Sequence, residues 1–191
     1  MVLLHICCGP CSVHPFEVLK REGKEFLGFF YNPNIQPYKE YVRRLETLKK
    51  WTESQQVPLK VSKSYDIIGH LKRVLPYALS DERCLECYRM RMTETARTAK
   101  RLGLTQFTTT LLASPYQKHE LVVAAAEEAE EQTGVRFVYY DFRPGYRAGI
   151  TLARQSGMYL QPYCGCVLSE VERYHKGGLR EWISSNSWAN P

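Results

Sequence analysis

The sequence predicts an α/β fold with a parallel sheet flanked by helices, and three observations predict it. Short apolar runs of strand character alternate with stretches of helical periodicity. No internal repeat, low-complexity tract or linker interrupts that alternation. Turn-forming or reactive side chains follow several of the apolar runs directly, as they do in parallel sheets, whose ligand sites lie beyond the strand carboxyl ends. One domain spanning residues 1–191 is the expected organisation, and that length buries a proper core.

Residues 2–6 form a short apolar run, followed by a cysteine loop and a helix-like segment over residues 13–21. Residues 26–31 (FLGFFY) read as a second buried strand, closed by the turn signal Asn32-Pro33-Asn34. Tyr41, Val42, Leu45, Leu48 and Trp51 recur at helical spacing and predict a helix over residues 38–56. Residues 59–61 fit a short third strand, and helical patterns cover residues 66–75 and 84–102. The β-branched run FTTTLL (residues 107–112) predicts a further strand. A helix over residues 118–133 meets Gly134, a C-cap residue, before the strand-like VRFVYY of residues 135–140. The tail, residues 167–185, reads as one helix. In a parallel sheet Cys7, Cys8, Cys11, Asn32, Asn34, Ser114, Tyr116, Asp141 and Arg143 then share one edge.

Hydrophobic residues make up 44% and charged residues 24% of the chain, as in an ordinary globular protein. No apolar run approaches the roughly 20 residues that span a bilayer, so no membrane partner is expected. The start, MVLLHICCGPCS, reads as a buried strand rather than a signal peptide, and a cytoplasmic location is the expectation. The net charge of +6 is compatible with a polyanionic partner. Arg43, Arg44, Lys49 and Lys50 cluster in one segment, and Arg89, Arg91, Arg97, Lys100 and Arg101 in another. Solvated helix faces and RNA-binding faces explain those segments equally well.

The seven cysteines are Cys7, Cys8, Cys11, Cys84, Cys87, Cys164 and Cys166. An odd count without an export signal argues against a disulfide framework. The cysteines fall in three tight groups, CC-x-x-C, C-x-x-C and C-x-C, and clustering is what multidentate metal binding needs. Thiolates select zinc, copper(I) or iron–sulfur clusters. Cys84-x-x-Cys87 opens a helix, where backbone N–H groups favour a thiolate. Four ligands satisfy one [4Fe–4S] cluster or one zinc. Seven cysteines exceed that and fall one short of two all-thiolate sites. Either the extra thiols are structural or another group completes a second site. Asp141, His5 and His119 are candidates, although His5 suits a packed strand, His119 a helix start, and Asp141 equally a helix N-cap or a partner for Arg143.

A phosphate loop is not expected after the first strand. Cys7, Cys8 and Cys11 occupy that turn, Pro10 removes a donor, and neither glycine-rich nucleotide motif is present, so no ATP site is predicted. Tyr31, Tyr38, Tyr116, Tyr159 and Tyr163 sit near the site loops, where aromatics suit an unstacked RNA base, though most tyrosines simply pack loops.

Six segments together resemble a known family. HICCGPCS, YNPNIQP, CLECYRMR, FTTTLLASPYQKHE, FVYYDFRPGY and YLQPYCGCVLS run in order from His5 to Ser169. Their pattern is similar to that of the cobalamin-independent epoxyqueuosine reductases, the QueH family. The resemblance implies a fold like the adenine nucleotide α-hydrolase group, with the phosphate loop given over to cysteines. It implies reduction of epoxyqueuosine to queuosine at the wobble position of tRNA, the last step of queuosine biosynthesis. The implied cofactors are a [4Fe–4S] cluster and a mononuclear iron, without cobalamin or ATP. An external low-potential donor, ferredoxin- or flavodoxin-like, feeds the cluster, and the iron acts as a Lewis acid on the epoxide oxygen. Cys8, Cys84, Cys87 and Cys166 are then expected on the cluster, and Cys7, Cys164 and Asp141 on the iron, with Cys11 in support. Arg143, Tyr116 or His119 is expected to orient substrate or supply protons.

Three rival readings make different predictions. A zinc-stabilised RNA-binding module is colourless and closed to chemistry. A thiol–disulfide oxidoreductase on Cys84 and Cys87 works without metal and leaves five cysteines unexplained. An ATP-dependent tRNA-modifying enzyme needs the phosphate loop that this sequence lacks.

Overall fold

Strand β1 (Val2–His5) is buried along its whole length, and the alternation of its side chains builds two core layers. Leu3 packs on one face with Phe29, Met92, Ala96, Phe107 and Val122. Val2, Leu4 and the following Ile6 pack on the other with Phe16, Leu19, Phe30 and Leu48. Each fully buried large side chain contributes about 1.5–3 kcal/mol of transfer free energy. Only a sheet covered on both faces accommodates such a strand.

The computed structural model describes residues 1–185; residues 186–191 of the expected unit lie outside the described residues. Four more strands join β1: β2 (Phe26–Phe30), β3 (Leu59–Val61), β4 (Gln106–Thr109) and β5 (Arg136–Phe137). Their order is β3-β2-β1-β4-β5 and every pairing is parallel, as predicted. Helices α1 (Gly9–Arg21) and α2 (Tyr38–Ser54) cover the second layer. Helices α4 (Glu82–Arg101) and α5 (His119–Thr133) cover the first, with the short α3 (Ile67–Val74) between α2 and α4 in sequence. The chain order reverses between β1 and β4, and the crevice at such a reversal is where open α/β sheets bind ligands.

Several elements differ from the sequence prediction. Helix α1 starts at Gly9, four positions before the predicted residue 13, because Pro10 lies in the first turn where its missing N–H is harmless. The run at residues 107–112 is not all strand. Thr109 Oγ1 accepts from the Leu111 N–H at 3.1 Å and turns Thr110–Ala113 into a 3-10 segment. The strand predicted over residues 135–140 pairs only at Arg136–Phe137. The tail is two helices, α7 (Val167–Tyr174) and α8 (Gly178–Ser185), parted at Gly178, whose φ is 68°. Helix α6 (Tyr146–Gln155) was not predicted; it packs on α1 through the small buried residues Gly149 and Ala153. Among the described residues no helix is long and apolar enough to cross a membrane.

Candidate metal centre and active site

The first thiol group is built by the end of β1 and the start of α1. Cys8 is the extended N-cap and Cys11 stands in the first turn, so residues three apart share a face. Cys7 precedes them; its N–H donates to Thr110 Oγ1 at 3.0 Å, which ties the turn to the end of β4. The three sulfurs lie within 4.8 Å of one another. Cys7 Sγ and Cys8 Sγ are 3.7 Å apart. Hydrogen bonds from Cys11 and Cys8 hold the Cys7 thiol well below its ordinary value. Burial pushes Cys8 up, and Cys11 rises chiefly because it serves Cys7 as a donor. Three sulfurs gathered so closely, one of them held toward the thiolate, form a donor set that suits a soft cation.

The second group comes from two distant stretches. Cys84 and Cys87 stand one turn apart at the start of α4. Cys166 is the N-cap of α7, where the Ser169 and Leu168 N–H groups face its sulfur. Burial raises Cys84, lifts Cys87 to about 12 and lifts Cys166 to about 11; the charge of Cys164 adds to all three. These four thiols sense one another without converging as tightly as the first three. All seven cysteines are free of disulfides.

The loop carrying Cys164 and Cys166 is clamped by α2 and by the loop after β2. Arg44 is buried and donates from Nη1 to the Cys164 carbonyl at 3.0 Å and from Nη2 to the Tyr163 carbonyl at 3.1 Å. The Gln36 N–H donates to the Gly165 carbonyl at 2.8 Å, and Gln36 Oε1 accepts from the Val167 N–H at 3.2 Å. Gly165 has a φ of 116°, and a Cβ there would meet Ile35 Cγ1 at 2.9 Å. The glycine of the C-x-C pair therefore serves a fixed close approach rather than flexibility.

Both thiol groups open on one cavity of about 710 Å³, lined by Cys7, Cys8, Cys11, Cys84 and Cys164. Tyr116 stands at its mouth, 83% exposed, with its ring edge-on to Tyr146. Burial lifts the Tyr146 hydroxyl to about 12. Tyr88 Oη donates to Gln117 Oε1 at 2.8 Å on another wall. Gln161 donates from Nε2 to Cys8 Sγ, and its Oε1 is buried without a partner. Arg83 is paired with Glu172, Lys118 with Asp81 and Arg44 with Glu40, while the exposed Arg154 and Arg173 also line the cavity.

Asp141 and Arg143 occupy the loop after β5, at the same sheet edge, and do not line this cavity. Arg143 Nε donates to Asp141 Oδ1 at 2.7 Å and Nη2 to Oδ2 at 2.8 Å, which holds the carboxyl down at about 2. That pair is the partnership with Arg143 that the sequence offered for Asp141 beside the metal-ligand reading. Cys11, expected in a supporting place, stands instead as close as Cys7 and Cys8 to the centre of the first group. His119 Nε2 is 3.1 Å from Tyr139 Oη, outside the cavity lining. His5 is buried between Thr109 Oγ1 and the Tyr31 carbonyl, and burial depresses it to about 3, so it is a neutral packed residue. Sequence reasoning missed Gln161 and placed Arg91 in a basic segment read as a solvated or RNA-binding helix face, whereas it is buried. Arg91 follows Cys87 by four residues on α4, a helical spacing that puts both on one face.

Comparisons with known proteins bear on the family of the whole chain. The model of the family described as Epoxyqueuosine reductase QueH matches residues 2–172. A protein named epoxyqueuosine reductase QueH from Dehalococcoides mccartyi is 38% identical over 175 residues, covering 92% of this chain and 95% of that protein. Its namesake from Thermotoga maritima is 34% identical over 185 residues, covering 92% and 93%. Among solved structures, a chain described as the predicted subunit of tRNA methyltransferase from Methanocaldococcus jannaschii is similar at a TM-score of 0.56. That likeness, at 11% identity over 81% of this chain and 75% of that one, concerns the fold alone. The family match over nearly the whole chain, joined to a cysteine-lined cavity at the sheet's reversal point, leads to one conclusion: this chain belongs to the QueH family of epoxyqueuosine reductases and is an oxidoreductase.

Proposed function

We propose that the chain reduces the epoxide of epoxyqueuosine in tRNA to the alkene of queuosine, with Cys84, Cys87, Cys164 and Cys166 holding a [4Fe–4S] cluster and Cys7, Cys8 and Cys11 holding a mononuclear iron. The observation that carries the reading is that five of the thiols line one cavity, Cys7, Cys8 and Cys11 as a tight trio together with Cys84 and Cys164 of the second group. A single ion needs donors converging on a point, which the three sulfurs within 4.8 Å supply. A four-iron cluster spreads its ligands over the corners of a cube, which suits the four that interact without converging. This division takes the place of the expected one, in which Cys8 served the cluster and Cys164 and Asp141 served the iron.

The net reaction takes up two electrons and two protons and releases water. When bound, the cluster and the iron supply single-electron transfer and an oxophilic Lewis acid. The chain's own residues do the rest. Tyr146, protonated at neutral pH as any phenol is, lines the cavity wall and gives a proton to the departing oxygen. Tyr116 offers an exposed ring on which the modified base can stack. Arg154 and Arg173 face the phosphates that flank the wobble nucleoside. Cys164 is exposed, so an external low-potential donor, ferredoxin- or flavodoxin-like, approaches the four-thiol group from that side.

The test is anaerobic purification with iron and sulfide counting, followed by incubation of the reduced protein with tRNA containing epoxyqueuosine. The reading expects about five irons for every four sulfides and conversion to queuosine. A colourless protein that holds only zinc after reconstitution and converts nothing would promote the RNA-binding reading instead.

A further inference from the structure

Every other arginine and lysine described above on the cavity wall is either paired with a carboxylate or exposed to solvent; Arg91 is neither. It is 3% exposed, forms no ion pair among the described residues, and its Nε is buried without an acceptor. Its one anchor is neutral: Nη2 donates to Asn32 Oδ1 at 2.6 Å. Asn32 is itself fixed, donating from Nδ2 to the Ile6 carbonyl at 2.8 Å. Burying a charge without a counter-charge costs several kcal/mol, so such a group persists where something else neutralises it.

The position of Arg91 indicates what that is. It follows Cys84 and Cys87 by seven and four residues on α4, which puts all three on one helical face. Its charge reaches Cys87 of the four-thiol group and Cys7 of the three-thiol group, favouring the anionic sulfur in each. Thiolate-ligated iron centres carry net negative charge, and the guanidinium is the fixed positive charge that lines the same cavity.

We propose that Arg91 is a positioning residue for the redox chemistry, the built-in counter-charge that lies within electrostatic reach of both thiol groups and stabilises the site in its reduced, more negative state. The proposal rests on the cofactor reading above. It says that Arg91 touches no substrate and acts through field rather than contact. A buried positive charge near a cluster favours the added electron and so raises the reduction potential. In the metal-free protein only the thiolate character of Cys7 offsets that charge, too little to compensate for its burial, and it weakens the fold.

The experiment compares the wild type with R91K and R91M, both fully loaded, by spectroscopically monitored redox titration with iron and sulfide counted on the same samples. R91M is expected to keep its metal content and shift the cluster potential negative, and R91K to restore most of the shift. Thermal unfolding of the three metal-free proteins supplies a second readout. Apo R91M is expected to melt no lower than the apo wild type, and to gain less on loading. A loaded R91M with an unchanged potential overturns the role of Arg91 alone. So does an apo R91M that melts well below wild type, since Arg91 is then only an anchor for the Asn32 loop. A wild-type protein that takes up no iron or sulfide overturns the cofactor reading, and the role of Arg91 with it.

Discussion

Gly165 lies so close to Ile35 that a Cβ on it would sit 2.9 Å from Ile35 Cγ1 and 3.1 Å from Arg44 Nη1. That contact sets the path of the loop carrying two of the seven thiols. Gly165→Ala also meets a φ of 116°, which L residues rarely adopt. The variant is expected to lose about 1–3 kcal/mol of stability and most of its sulfide. Denaturant unfolding together with a sulfide count checks both effects. An alanine variant with full sulfide would show that the clamp between residues 34–36 and 163–167 is dispensable.

Single cysteine variants separate the two thiol groups. Cys11→Ser is expected to lower iron by about one atom per chain and leave sulfide and the visible absorption of the cluster intact. Cys87→Ser is expected to remove sulfide and colour. Loss of the chromophore in C11S would return Cys11 to the cluster and overturn the division proposed here.

Arg154 and Arg173 line the cavity from the exposed ends of α6 and α7. If they contact phosphates, the R154A/R173A double variant binds tRNA more weakly, and the slope of log affinity against log salt flattens by roughly 1–2. Fluorescence anisotropy at several salt concentrations reads the slope. An unchanged slope moves the RNA contact to another face.

His5 and His70 make the fold acid-sensitive. Burial, and after it the Arg91 charge, holds His5 at about 3 and His70 at about 4, below the ordinary 6.5. The unfolded chain binds these protons first. The stability the two histidines contribute is therefore fully present above about 6.5 and is lost as pH falls toward the folded values, at up to about 1.4 kcal/mol per pH unit for each. Urea unfolding at pH 7, 6 and 5 is expected to show that decline, and a shallower one in His70→Gln. A flat profile in the wild type would contradict the neutral burial of both rings.

Much of the fold is legible because buried parallel strands leave a strong mark. The runs at residues 2–6 and 26–31 are too apolar and too short for surface helices, and both are strands. What the pattern hides is local. Two adjacent cysteines followed by Gly9-Pro10 read as loop, yet proline is at home in a first helical turn, and α1 begins there. That one boundary conceals the part Cys11 plays, since its place beside Cys8 follows only if residues 8–11 are already winding into a helix. Helix α6 escapes because its buried face is Gly149 and Ala153, too small to register in a hydrophobic repeat. For Asp141 the sequence offered a partnership with Arg143 beside the metal-ligand reading, and the structure shows that pair made.

The thiols come from residues 7–11, 84–87 and 164–166, and their convergence at one sheet edge has a temporal meaning. The first trio is complete once the amino-terminal strand and helix exist. The second awaits Cys164 and Cys166, far along the chain from the first trio. On the proposed division, a nascent chain that stops short of Cys164 can hold only the single iron, and the wider centre matures once that stretch has emerged. Truncations that end before Cys164 are expected to be born without it.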